Sequence, residues 1–396
     1  MPILTSSSGH RRRRSAALAP EARLLLSCLR PDAAGRLAQA VARFSRARGS
    51  WERFLKLAHR HALASLVAAE LNAGDARVAL PVEIGAALRS HFHATALNNQ
   101  RLARELLRLL ELCAAHGFAV LAFKGPLSAV ELYGSLALRE FEDLDILVGD
   151  GDLPALLKLL KADGYSAAPG LSAALGRRGP FQLSQAPFRK AGVPGVLDLH
   201  WELAPHYFPF APAPAELFAR ARALALEGRA VPTLAPDDLL LFVSIHGAKH
   251  GWTSLSWICD LARLWQRHGE RLDWRGLSGG AHWPGTRRMV FLGAMLAHRL
   301  LGAPLPGPLY LAARADPVAI FLYGAIKYGL FHSGRRLRLA LTWLVPLCLI
   351  LHMGARVHYL AGRALVPTLE DAAFVPLPQR LSTLYYLIRP VRRLLA

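Results

Sequence analysis

FAVLAFKGPLSAVELYGSLALREFEDLDILV, residues Phe118–Val148, is the stretch that decides the fold. Its apolar opening, Phe118–Phe123, is short and bounded by Gly117 and Gly125, which predicts a buried strand of a mixed sheet. Lys124-Gly125-Pro126 ends that strand. Pro126 lacks an amide hydrogen and has a fixed φ, so it suits the start of a helix that turns Leu127, Val130 and Leu132 inward and stops near Gly134. After a loop carrying Arg139, Asp143 and Asp145 alternate with Leu144 and Ile146 in a second strand. Residues i and i+2 of a strand share a face, so these carboxylates stand about 6 to 7 Å apart and repel unless a cation lies between them. Magnesium fits, because it takes one or two carboxylates together with substrate phosphate oxygens. The N–H groups at the neighbouring helix start make a phosphate site. A solvated edge-strand face is the competing reading, and the apolar neighbours of the two aspartates weigh against it, since unpaired charge is costly there.

Downstream, residues Pro180–Arg189 and Gly195–Trp201 read as two strands joined by the turn-forming Gly192-Val193-Pro194-Gly195. The second presents Asp198 and His200 on one face and Leu197, Leu199 and Trp201 on the other. If it lies beside the Asp143–Asp145 strand, three carboxylates converge, a trio suited to two-metal phosphoryl chemistry. His200 would then orient Asp198 or contact an acceptor, with a purely structural role as the alternative.

The string Lys124-Gly125, Tyr133, Arg139, Asp143, Asp145 and Leu147-Val148 resembles a bacterial family of uncharacterised nucleotidyltransferases within the polymerase-β-like nucleotidyltransferase superfamily. Val196–Leu203, Ser244–Leu264 and, more weakly, Leu377–Pro390 resemble it too. The resemblance implies magnesium-dependent transfer of a nucleotidyl group from a nucleoside triphosphate, with Asp143, Asp145 and Asp198 as catalytic carboxylates holding two Mg2+ ions. It also implies that Lys124, Gly125, Ser128 and Arg139 hold the triphosphate. The superfamily's usual Gly-Ser pair is replaced here by Lys124-Gly125, so a point charge stands where a hydrogen-bonding hydroxyl is expected. For Arg139 the alternative is an ion pair with Glu140 or Glu142.

The expected fold class is α+β: a small mixed sheet flanked by helices, with N-terminal helices before it and a C-terminal helical domain after it. The boundaries follow from composition and, for the nucleotidyltransferase core, from what the resemblance implies. Residues 1–20, with Arg11–Arg14 in a row, form a disordered basic tail; 21–93 are helical; 94–205 form the nucleotidyltransferase core, beginning with a helix over Ala94–Ala115; and 206–396 are helical, after the proline-rich Pro205–Pro214. Gly149-Asp150-Gly151-Asp152 is a turn that caps the next helix. His59, His61, His91 and His93 read as surface histidines because i,i+2 spacing splits each pair across a helix. His246, Lys249 and His250 share a helical face near Trp252. His246, Lys249 and Trp252 are therefore candidates to touch nucleotide or acceptor, against a helical core with a polar rim as the plain alternative.

Lysine and arginine number 48 against 28 acids, for a net charge of +20, which favours polyanions such as nucleotides or an anionic membrane surface. No specific nucleic-acid binding is expected, since no zinc-finger, RRM or KH pattern is present. The four cysteines are scattered through apolar contexts, as expected of buried reduced thiols in a cytoplasmic protein. Leu337–Met353 is apolar but shorter than the roughly 20 residues of a spanning helix and contains Pro346, so it reads as a buried helix or a shallow membrane contact. A sugar phosphate, a peptide or a protein side chain all remain open as acceptor. A second class of function is a catalytically weak nucleotide-binding or membrane-peripheral scaffold in surface-polysaccharide or peptide biosynthesis.

Overall fold

The computed structural model describes residues 18–30, 36–73, 80–149, 151–167, 181, 183–208, 212–279, 285–332 and 334–395. The tail expected over 1–20 falls almost wholly outside these residues, as do Asp150 and Pro180.

Five strands build the central sheet: β1 (Val120–Phe123), β2 (Asp143–Val148), β3 (Tyr165–Ala167), β4 (Gln185–Lys190) and β5 (Val196–His200). Their order is β1-β2-β5-β4-β3, with β2 and β5 parallel and every other pair antiparallel. The strand–turn–helix–strand reading holds, with a helix over Gly125–Tyr133 that ends at Gly134 in the left-handed conformation. The fold is mixed α+β with flanking helices, as expected.

Alternation along the strands gives the sheet two different faces. Val120, Ala122, Leu144, Ile146, Val148, Leu197 and Leu199 point into one core, which is completed by Leu102, Leu106, Leu109 and Cys113 of the long helix Val82–Ala115. That helix begins twelve residues before the expected Ala94. Leu121, Phe123 and Leu147 point the other way, into a larger helical core. There, Leu25, Phe54 and Val67 from the N-terminal helices pack with Leu240, Leu261 and Leu296. Asp145 and His200 are buried on this second side, where sheet and helical body meet.

Three expectations need correction. The region after residue 206 is not wholly helical: β6 (Arg222–Leu226) and β7 (Arg229–Thr233) form a hairpin. Its turn residues Glu227 and Gly228 have φ of 49° and 80°, the two positive values that a tight type I′ turn requires. His61 is buried rather than on the surface, and it links two distant segments. Its Nε2 lies 3.1 Å from the Leu330 carbonyl oxygen, and its Nδ1 accepts from the Leu255 amide at 3.2 Å. Asp152 occupies the cap position of the helix Leu153–Ala162, but its side chain makes no capping bond.

All four cysteines are free thiols, three of them buried. The run 337–353 lies mostly in the helix Arg335–Leu349, which turns Leu341, Val345 and Leu349 inward. Among the described residues no single helix is long and apolar enough to cross a membrane. Gly307–Ala315 and Pro317–Phe331, bent by 85°, meet that test of length and composition only as a pair.

Candidate active site

The register of the parallel pair builds the site. Asp145 lies directly across from Asp198, and Asp143 across from Val196. Gly195 makes that register possible. It sits at φ 80°, where a Cβ would collide with the Glu142 carbonyl, and the next amide, of Val196, donates to that same carbonyl at 3.0 Å. Gly125 is similarly constrained, at φ 41° with space for a Cβ only 3.1 Å from the Asp143 carbonyl oxygen.

Lys124 bridges strand and helix in a backbone conformation rare for a side-chain-bearing residue, φ 56° and ψ −148°. This strain aims its ammonium at Asp145, with Nζ 3.0 Å from Oδ1. His200 Nε2 approaches the same oxygen at 3.0 Å. Burial alone would raise the Asp145 pKa, but the Lys124 charge and the His200 hydrogen bond outweigh it and hold the carboxyl at about 2. Burial also works against the Lys124 ammonium, and the Asp145 and Asp143 charges reverse that effect, so its pKa is raised. Asp143 and Asp198 go the other way: burial, then repulsion by Asp145, raises both. Two acids are therefore short of positive charge in a cleft where a third has taken the local cations.

These residues fit a divalent ion. Ligand atoms of Asp145, Asp198 and His200 all lie within 4.8 Å of one another. Asp145 Oδ2 and His200 Nδ1 are buried without hydrogen-bond partners, and buried acceptors rarely go unsatisfied. Among the described residues, the one hydrogen bond to the Asp198 carboxylate is from Gln185 Nε2, at 3.4 Å.

Lys124, Asp143 and Asp198 open on a cleft of about 830 Å³. His59, His91, Thr95 and Asn98 line one side and Phe242, His246 and Trp257 another. The Oδ1 atom of Asn99, also in this lining, is buried without a partner. An aromatic series runs from the carboxylates outward. Phe123 lies 5.1 Å from both His200 and Phe242, and His246 is 5.7 Å from Phe242 and 5.0 Å from Trp257. Burial, then the Lys124 charge, pushes the His246 pKa well below its usual value; burial and Lys249 bring His250 to about 3. Both shifts favour the neutral ring.

Not every residue expected here is available. Arg139 faces the cleft, but its guanidinium is bound in two places by Asp260, Nη2 to Oδ2 at 2.8 Å and Nε to Oδ1 at 3.0 Å, and Tyr133 donates to the same carboxylate at 2.7 Å. Its partner is neither Glu140 nor Glu142 but a residue 121 positions away, so Arg139 fixes the loop to the helix Leu255–His268. Ser128 is buried in the first turn of the helix, where its amide donates to the Lys124 carbonyl at 3.1 Å. His200 is buried and touches Asp145 rather than Asp198. Trp252 is a core residue with 0% exposure. Its own φ is 51°, and the ring lies against Gly247, whose Cβ would strike it, and close to Gly293, whose Cβ would crowd it at 3.2 Å.

Lys249 stays near the site. It has no acidic partner among the described residues, and burial followed by the Lys124 charge lowers its pKa to about 8, while Asp145 and Asp198 pull the other way. Arg363, which the sequence reading missed, also reaches Lys249 and His250 electrostatically. It stacks 4.6 Å above Trp343, and its Nε is buried without a partner. Nothing in its local sequence sets it apart from the other arginines.

Comparison with known proteins adds a family. A family model described as uncharacterised nucleotidyltransferase matches residues 48–302. No curated protein gives a significant match. Among solved structures, the chain is similar to the lincosamide antibiotic adenylyltransferase LnuA bound to lincomycin, at 17% identity and a TM-score of 0.30, covering 41% of this chain and 94% of that one.

Proposed function

This chain belongs to the uncharacterised nucleotidyltransferase family, and we propose that it moves a nucleoside monophosphate from a nucleoside triphosphate to an acceptor with the help of magnesium. One observation carries the reading: β2 and β5 set Asp145 against Asp198, leaving orphaned acceptor atoms and two carboxylates with raised pKa values around one point. Asp145, Asp198 and His200 suit one ion, and Asp143 is left to serve a second. When bound, such ions neutralise developing charge on the phosphate oxygens and acidify an acceptor hydroxyl.

The chain's own groups do the positioning. Lys124 holds Asp145 ionised and presents positive charge at the helix start, where Gly125 leaves room for close approach. Lys249, still largely protonated at neutral pH, meets a phosphate. Trp257 and neutral His246 offer a stacking wall for a base or an aromatic acceptor. We take 94–205 as the catalytic core, with the helices on either side supplying the walls. We place the reaction in the cytoplasm, which suits four free thiols. The acceptor classes are a sugar phosphate, a peptide or a protein side chain.

Labelled nucleoside triphosphates incubated with magnesium and a metabolite extract test this. Wild type should transfer label to an acceptor and Asp145→Asn should not; absence of both transfer and magnesium-triphosphate binding in wild type would remove the enzyme reading. A catalytically weak scaffold is favoured by a single feature, the Lys124–Asp145 ion pair already in place. Triphosphate binding without transfer in the same assay would select it.

A further inference from the structure

Among the described residues, 15 of the 17 exposed large apolar side chains lie between Leu311 and Val391. They are not scattered. On the helix Met353–Leu365, Met353, Val357 and Leu360 recur at i, i+4 and i+7, and on the helix Tyr385–Leu395 and its approach, Leu384, Leu387 and Val391 recur at i, i+3 and i+7. Each series is a stripe on one helical face. Phe321 and Tyr328, seven apart on Pro317–Phe331, and Leu339 on Arg335–Leu349 extend the apolar surface.

These stripes are held in place rather than left loose. Arg389, buried on the inner side, gives hydrogen bonds to Asp371 at 3.0 Å, to the Arg363 carbonyl at 2.8 Å and to the Ala364 carbonyl at 3.2 Å. Arg392 pairs with the same aspartate. The two helices are thereby clamped together with their apolar stripes facing out.

Charge says what covers them. Residues 307–396 contain eleven lysines and arginines against three acids, Asp316, Glu370 and Asp371. All three acids are already bound by arginines, at Arg288, Arg392 and Arg389. Arg335, Arg336, Arg380 and Arg393 remain exposed beside the apolar residues. A surface with exposed Leu, Phe and Tyr, with exposed arginines on the same elements and no unpaired acid among the described residues, matches the interface of an anionic bilayer, where apolar residues enter the acyl boundary and guanidinium groups meet phosphate.

We propose that the helices between residues 307 and 395 form a surface that docks the protein onto anionic membrane, lying in the interface without crossing it. The test is co-sedimentation with vesicles of phosphatidylcholine alone or mixed with phosphatidylglycerol. Wild type should bind the mixed vesicles and release at high salt. Leu387→Asp and Val357→Asp should each weaken binding by about tenfold, and Arg335→Glu combined with Arg336→Glu should do the same. Leu97→Asp, an exposed leucine on the far helix Val82–Ala115, should leave binding unchanged. Melting temperatures of all variants should stay near wild type, because every position is exposed. Failure to bind anionic vesicles would overturn the proposal. So would equal loss in Leu97→Asp, or a self-associated wild type that Leu387→Asp makes monomeric with no change in lipid binding. Triphosphate transfer and binding are measured separately, so a loss here leaves the nucleotidyltransfer reading intact.

Discussion

Two cavities flank the helix Gly125–Tyr133, and they differ in how their charges are paired. The larger, about 970 Å³, is lined near the helix C-terminus by Glu131, Arg222 and His268. There Glu131 receives both Arg222 and His268, the latter at 2.7 Å, so the buried carboxylate is satisfied. The smaller, about 830 Å³, opens at the other end of the helix on Asp143 and Asp198, both of which have raised pKa values. Volume alone would favour the first cavity over the one we propose as the site. A group of charges that complete one another stabilises a fold, whereas charges left incomplete are prepared for a ligand.

The sharpest way to break this contrast is Asp198→Asn. Its carboxyl pKa is raised by burial and by Asp145, so the ionised form is the one folding disfavours, and its charge costs stability at neutral pH. The substitution should lower transfer by about 10³-fold while the melting temperature holds or rises; a fall in both would make Asp198 structural. Glu131→Gln should do the reverse, costing about 3 kcal/mol in a denaturant titration with activity per folded molecule unchanged.

Acid sensitivity sharpens the comparison from outside both cavities. Burial brings the His61 pKa down to about 4. Folding therefore favours the neutral ring, and stability is full above about 6.5 and falls as pH drops toward 4. Up to about 3 kcal/mol is lost across that window. His61→Gln should flatten the pH dependence seen by thermal melts, and an unchanged slope would reject the assignment. The smallest expected effect is Gly195→Ala. With the left-handed backbone and the Glu142 carbonyl in the way, it should cost about 2 kcal/mol and weaken metal binding together with stability, because it disturbs the register of both aspartates.

The sequence was most legible where the structure is local. The strand, the tight turn, the helix ending at Gly134 and the alternating aspartates all follow from periodicity and punctuation over a few residues. The face shared by Asp198 and His200 was readable for the same reason; that β5 runs beside β2 was not, since pairing is a long-range choice. Long-range partners account for the misreadings too. Arg139 finds Asp260 across 121 positions, and His61 is buried by segments almost 200 and 270 residues away. Trp252 has a positive φ and its ring packs against Gly247 and Gly293, neither of which its own position in the sequence reveals. The β6–β7 hairpin did leave a trace, in the Glu-Gly turn between two short apolar alternations at Arg222–Thr233.

Manganese binding followed by electron paramagnetic resonance puts the central claim to its most direct test, since it asks about the carboxylates without needing the acceptor. Wild type and Glu131→Gln should bind manganese alike in the presence of a non-hydrolysable triphosphate, and Asp145→Asn and Asp198→Asn should each lose the bound signal. Equal binding by all four proteins, or loss in Glu131→Gln alone, would contradict a metal site between β2 and β5.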